Sequence, residues 1–306
     1  MHRTWEKPMS LVHSRSFRVR HYECDAFGHV NNANYLRYMQ EAAFDAAAAA
    51  GYSVERHVAM AHVWHARETQ IEYLQPLRYG DTVEVKTWVV DFRRIRSRRA
   101  YELRNAGEDE LVARATTDWV YIDRARSRPA AIPHALVHAF FPEGVPAEAT
   151  PREPFRSSPP PPSPVKVRRR VTWQDIDPEG HVNNAVYLAY VEDCGFQAVA
   201  AHGWPVKRML EGGHAILTRR HQIEYLQPAM LDDELEIATW LSEVKRASAT
   251  RHYTVTRLED GALLAQVNTL GVWVNLETGL PERFPAGMVT DFGPSITPQD
   301  PSPKPD

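Results

Sequence analysis

The chain has 306 residues, 43% of them hydrophobic and 25% charged, with a net charge of −3. This balance fits about two globular domains and lacks the positive excess of a nucleic-acid binder. No apolar run approaches the ~20 residues that cross a bilayer, and "MHRTWEKPMSLVHS" lacks the apolar core of a signal peptide, so a cytoplasmic protein with no membrane span and no nucleic-acid partner is expected.

A short segment, "SFRVRHYE", alternates as a strand does and leads into the polar cluster "DAFGHVNNANY" at residues 25–35. A helix-like run follows from Ala33 to Ala50 and closes near Gly51, where glycine suits a helix stop. Beyond it, "TQIEYLQP", "DTVEVKTWVV", "SRRAYELRN" and "LVARATTDWVYID" are rich in strand-forming residues and are broken by turn signals at "RYGD" and "AGED". The order is strand, long helix, then about four strands.

That order occurs twice. "HVNNA" recurs after a shift of 181 − 29 = 152 residues, and the same shift carries "IEYLQP" at 71–76 onto 223–228. A constant shift over about a hundred residues means duplication without net insertion. The expected domains are residues 1–142 and 166–292, joined by a proline-rich linker at 143–165 that reads as a semi-rigid spacer and followed by a disordered tail at 293–306. The fold class is α+β, because one helix buries its apolar stripe most simply across the face of an antiparallel sheet. Two such units on one chain are expected to pair as a pseudo-dimer, with homo-oligomers of pseudo-dimers left open.

These residues resemble the hot-dog thioesterases, of the 4-hydroxybenzoyl-CoA and acyl-CoA type together with the acyl-carrier-protein thioesterases. The pattern D-x-x-G-x-V-x-x-x-x-Y is matched by Asp25, Gly28, Val30 and Tyr35, and again by Asp177, Gly180, Val182 and Tyr187. The resemblance covers nearly all of both copies and implies hydrolysis of acyl-CoA or acyl-carrier-protein thioesters without metal or redox cofactor, at the two helix entries near the interface of the halves. Two departures set it apart from the plant acyl-carrier-protein enzymes. Phe27 and Glu179 stand where those have an asparagine, and Pro76 and Pro228 where they have a glutamate, so the roles of those two residues do not carry over.

Thioester hydrolysis needs a nucleophile at the carbonyl and donors aimed at the developing oxyanion. Asp25 and Asp177 are the candidate general bases or direct nucleophiles, with N–H groups near Gly28-His29 and Gly180-His181 as oxyanion donors. An aspartate with an ordinary pKa near ~3.9 is a weak base at neutral pH, and desolvation by an acyl chain opposes that. His29 and His181 are candidates to orient the carboxylate, polarise the carbonyl or protonate the leaving thiolate. Asn31, Asn32, Asn183 and Asn184 are read as helix caps or substrate contacts, one amide of each pair capping. Asn34, Tyr35 and Tyr187 complete the substrate-contact set, and Asn34 has Val186 as its counterpart, so any contact from it would make the sites unequal.

The remaining features are weaker. Glu72 and Glu224 are read chiefly as exposed or ion-paired strand residues. His62 and His214 correspond, but no second ligand shows zinc spacing. The arginine-rich "RRIRSRR" at 93–99 suits either the phosphates of coenzyme A or an acidic carrier protein, or a solvated strand. Cys24 and Cys194 are out of register, which excludes a shared thiol nucleophile. Two rivals remain: a dehydratase or hydratase on the same fold, and a non-catalytic acyl-thioester binding module.

Overall fold

In the computed structural model, which describes residues 10–145 and 151–297, the chain divides into two units between Pro154 and Phe155. The first unit contains β1 (Val12–Arg18), the long helix α1 (Asn32–Ala49), a short helix α2 (Val54–Ala59), β2 (His62–Tyr73), β3 (Thr82–Phe92), β4 (Arg96–Asn105), β5 (Glu110–Asp123), the two-residue β6 (Arg128–Pro129) and α3 (His134–Phe140). Its antiparallel strands lie in the order β1-β3-β4-β5-β2, with β6 against β5.

The second unit repeats the plan with β7 (Val165–Arg170), α4 (Val186–Ala201), α5 (Val206–Glu211), β8 (His214–Tyr225), β9 (Glu234–Ser242), β10 (Ser248–Arg257), β11 (Leu263–Asn275) and α6 (Ala286–Asp291). Its strand order is β7-β9-β10-β11-β8, again antiparallel throughout. The two long helices start within one residue of the expected positions, and both stop before a glycine with positive φ, Gly51 at 83° and Gly203 at 81°.

Each long helix buries one side on its sheet. Tyr35, Leu36, Met39, Ala42, Ala43 and Ala46 form the buried stripe of α1, at helical spacing. Of the alanines at 46–50, Ala46 is buried while Ala48 and Ala49 face outward. On α4, Gly195 occupies the place of Ala43, and a Cβ there would come within 2.6 Å of Tyr253 Oη. Strand β10 therefore turns Tyr253 toward the helix.

Short helices missing from the sequence reading seal the far end of each unit. Leu136, Phe140 and Phe141 pack with Tyr52, Val89 and Tyr121 in the first, and Met288 and Phe292 with Trp204, Leu241 and Trp273 in the second. Here the expected linker and tail need revision. Arg152 donates from Nη2 to Asp91 Oδ1 at 2.7 Å and from Nε to Asp118 Oδ1 at 3.0 Å. Across the second unit, Asn268 Nδ2 donates to Arg156 O at 2.7 Å, Trp240 Nε1 to Ser158 O at 3.1 Å and Thr297 Oγ1 to Pro159 O at 2.7 Å. The proline-rich stretch is thus docked on each sheet at residues 151–159, and the tail is held as far as Thr297. The rest of the expected tail, 298–306, lies outside the described residues, as do residues 146–150 of the linker.

Two stability tests follow. Gly195→Ala should overpack the helix against Tyr253, costing about 1–3 kcal/mol and lowering the melting temperature. Burial alone would raise the Asp118 pKa, but Arg98 and Arg152 outweigh it and hold the carboxyl below its ordinary value. A depressed carboxylate contributes stability that is present above ~3.9 and lost as pH falls through the folded value. Arg152→Ala, which leaves buried carboxylates short of a cation, should cost about 3 kcal/mol at neutral pH, and melting curves should show the deficit shrinking in acid.

Candidate active site

The polar cluster folds as a closed loop ahead of the helix rather than as its first turn. An isolated bridge joins Cys24 to Val30. Inside it, Asp25 N–H donates to His29 O at 2.8 Å, and Gly28 N–H donates to Asp25 O at 3.0 Å. Gly28 sits at φ 72° and its repeat Gly180 at φ 85°, the left-handed region that only glycine enters without strain. The glycine of the motif is explained by this turn.

Asp25 Oδ1 accepts from Phe27 N–H at 2.8 Å and from His29 N–H at 3.2 Å, whereas Oδ2 makes no hydrogen bond to any described residue. The Gly28 and His29 N–H groups, expected as oxyanion donors, are thus already spent inside the loop. In the second unit Asp177 N–H donates to His181 O at 3.0 Å, Glu179 N–H donates to Asp177 Oδ1 at 2.9 Å and Asn183 Nδ2 to Oδ2 at 3.3 Å. His181 Nδ1 lies 3.9 Å from Asp177 Oδ1. The two carboxylates share a turn but differ in the freedom of the second oxygen.

The asparagines meet the expectation in the first unit only. Asn31 Oδ1 accepts from Ala33 N–H at 3.0 Å and caps α1, whereas Asn183 Oδ1 accepts from Ala185 N–H at 3.0 Å in the turn before α4, whose N-cap is Ala185 and has no side-chain cap. Asn32 and Asn184 are half-buried at the helix start, and their carbonyls accept from Tyr73 Oη at 3.3 Å and Tyr225 Oη at 3.0 Å. Three expected substrate contacts are instead interior. Asn34 is buried, donating to Glu23 O at 2.8 Å and accepting from Arg37 at 2.6 Å. Tyr35 and Tyr187 are 2% exposed, and their hydroxyls accept from Leu77 N–H at 3.3 Å and Ala229 N–H at 3.1 Å. Burial pushes both phenols up, Tyr187 to about 12.

Residues that the sequence reading passed over hold the loop in place. Glu23 is 7% exposed, and its Oε2 accepts from Arg20 N–H at 2.7 Å and from Tyr38 Oη at 2.8 Å, while its carbonyl accepts from Asn31 N–H at 2.9 Å. Asp175 is its repeat, accepting from Thr172 N–H at 2.8 Å and Thr172 Oγ1 at 2.7 Å. The signal was available, since the two acids stand in the 152-residue register. Arg78 is bridged to His29 through the backbone. Burial, then the Arg78 charge, push the His29 pKa down, with Asp25 opposing, so the ring is neutral near pH 7.

The weaker candidates become structural. Glu72 pairs with Arg114 across two strands at 2.5 Å. His62 stacks on Tyr121 at 4.7 Å between centroids, and His214 on Trp273 at 5.1 Å. Among the described residues no group of three His, Cys, Asp or Glu side chains is placed to hold a metal ion, and no helix is long and apolar enough to cross a membrane. Of the arginine run, Arg98 pairs with Asp118 at 2.6 Å, Arg99 is buried, and Arg93, Arg94 and Arg96 are exposed.

A helix on a five-stranded antiparallel sheet, with an aspartate-glycine-histidine loop before the helix, defines the class. The chain belongs to the thioesterase-like superfamily, whose domain is found at residues 19–140 and 171–292. It is 27% identical over 191 residues to the chloroplastic acyl-[acyl-carrier-protein] hydrolase FATB2 of Cuphea viscosissima, an alignment covering 59% of this chain and 46% of that one. The chain thus spans about half the length of that plant relative. It is 28% identical over 123 residues to the acyl-CoA thioester hydrolase YbgC of Shigella flexneri, covering 40% of this chain and 91% of that one. The solved 12:0-ACP thioesterase from Umbellularia californica shares the fold, with a TM-score of 0.66, 21% identity and coverage of 86% of this chain and 94% of that one.

Arg78→Met removes a cation from beside His29, so the imidazole pKa should rise toward its ordinary ~6.5. An NMR titration of His29 in parent and variant reads this directly, and an unchanged midpoint would contradict it.

Proposed function

We propose that the protein hydrolyses acyl thioesters, releasing a carboxylic acid from acyl-CoA or from an acyl carrier protein in the cytoplasm. The observation that carries this reading is the Asp25 carboxylate, with one oxygen pinned by two loop amides and the other without a hydrogen bond to any described residue, close to the His29 imidazole. Support for the substrate class comes from the relatives, one named for acyl-carrier-protein thioesters and one for acyl-CoA.

In the proposed reaction Asp25 Oδ2 takes a proton from water as the water oxygen bonds to the thioester carbon. The neutral His29 ring is better suited to donate a hydrogen bond to the carbonyl oxygen than to act as a strong acid. The positive end of α1 adds to that stabilisation. The C–S bond then breaks, and the departing thiolate takes the proton that Asp25 holds. Direct attack by Oδ2 is the other route open to the same oxygen, giving an anhydride that water then opens.

The test is thiol release from acyl-CoA and acyl-carrier-protein thioesters. Asp25→Asn keeps the acceptor of the turn and removes the charge, and should lower kcat/KM by about a hundredfold or more with the melting temperature nearly unchanged. Asp177→Asn should cost less, because Asn183 already engages its second oxygen. Full activity in the double variant would refute the mechanism, and a parent inactive on every thioester would favour a binding module. Turnover in heavy-oxygen water separates the routes, since only direct attack can leave label in Asp25.

A further inference from the structure

The inner face of the first sheet carries a cluster that the reaction above does not use. Strand β4 turns Arg99, Tyr101 and Leu103 toward the helix, and β5 turns Ala115, Thr117, Trp119 and Tyr121 the same way, with Arg99 paired to Thr117 and Tyr101 to Ala115. Arg99 is 6% exposed. Among the described residues no carboxylate pairs with it. Its neighbours are Thr87 Oγ1 at 3.4 Å and the Phe140 ring at 5.4 Å. Tyr101 Oη, Trp119 Nε1 and Tyr121 Oη are buried and make no hydrogen bond to any described residue. Thr117 and Trp119 lie beside Tyr101 Oη without reaching hydrogen-bond geometry.

A buried guanidinium without a counter-charge is among the costliest groups a fold can retain, and buried donors without acceptors add to that cost. An indole N–H only donates, a guanidinium only donates, and a phenol donates readily. Such a set asks for a partner that only accepts and carries negative charge, which is a carboxylate. The second unit keeps Arg251, Tyr253 and Thr269 in register but has Gly271 in place of Trp119. There Tyr253 Oη and Arg251 Cδ lie within 4 Å of a Cβ built at Gly195, nine residues and therefore about 14 Å along the helix from Val186. The two groups therefore stand well along the helix from the turn that carries Asp177.

Resting on the hydrolase reading, we propose that Arg99, with Tyr101 and Trp119, binds a carboxylate at the distal end of the acyl group, so that the preferred substrates are half-thioesters of dicarboxylic acids. Arg251 and Tyr253 offer the same recognition in the second unit with one donor fewer.

The test compares suberoyl-CoA with octanoyl-CoA, equal in length and different only at the far end. The parent should favour suberoyl-CoA by about tenfold or more in kcat/KM, the scale of a charge-assisted hydrogen-bond pair. Arg99→Met should remove most of that ratio, Arg251→Met the smaller remainder, and the Arg99→Met protein without ligand should melt higher than the parent because an uncompensated charge has gone. A parent that prefers octanoyl-CoA, or an Arg99→Met variant that keeps the parent's ratio, overturns the proposal. Should Arg99→Met fail to fold, Tyr101→Phe and Trp119→Phe must each lower the ratio, and an unchanged ratio in both overturns it. If no thioester is cleaved, the hydrolase reading fails separately. In that case suberate must still raise the melting temperature more than octanoate does, and equal shifts overturn the carboxylate site.

Discussion

The candidate site depends on a buried carboxylate that is not itself a candidate catalyst. Glu23 in the first unit, and Asp175 in the second, can stay out of water only if hydrogen-bond donors surround them. Satisfying Glu23 draws in Arg20 from the end of β1 and Tyr38 from the second turn of α1. Its backbone oxygen simultaneously takes the N–H of Asn31 and the amide of Asn34. Strand end, loop and helix start are therefore fixed to one another before Asp25 is placed. The short turn between Cys24 and Val30 has little freedom left, and the carboxylate at its tip inherits that rigidity.

Much of this was legible in the sequence, and what was not has physical reasons. The repeat, the long helices and the succession of elements along the chain follow from periodicity and register, which are local. The Asn31 cap follows from residue type and position. Harder to see was that Asp25 lies six residues ahead of its cap, in a turn of its own, because a loop closed by its own backbone leaves no periodic trace. Tyr35 and Asn34 read as substrate contacts because they stand in a polar motif, yet the first helical turn already faces the core there. The linker read as a spacer from its prolines, while its fate was decided by Arg152 and a pair of aspartates distant in sequence. Arg99 was visible only as one of several arginines, and strand alternation alone does not say which of them turns inward.

The two copies keep the same skeleton and differ where chemistry would be tuned. Asp177 has its second oxygen engaged where Asp25 does not, Thr69 becomes His221, which burial drives down to about 3 and so keeps neutral, and Trp119 becomes Gly271. None of these exchanges disturbs the strand order. The positions that define the turn, by contrast, are the same in both.

The loss of the Trp119 side chain at Gly271 has a consequence for how such a protein can change. In an assembly of identical subunits every substitution appears in all sites at once, so a residue that suits one substrate must be endured by every copy. A chain that carries both copies in one polypeptide is released from that symmetry. One pocket can be reshaped while its sibling is left alone, and a single gene can come to hold two acyl preferences.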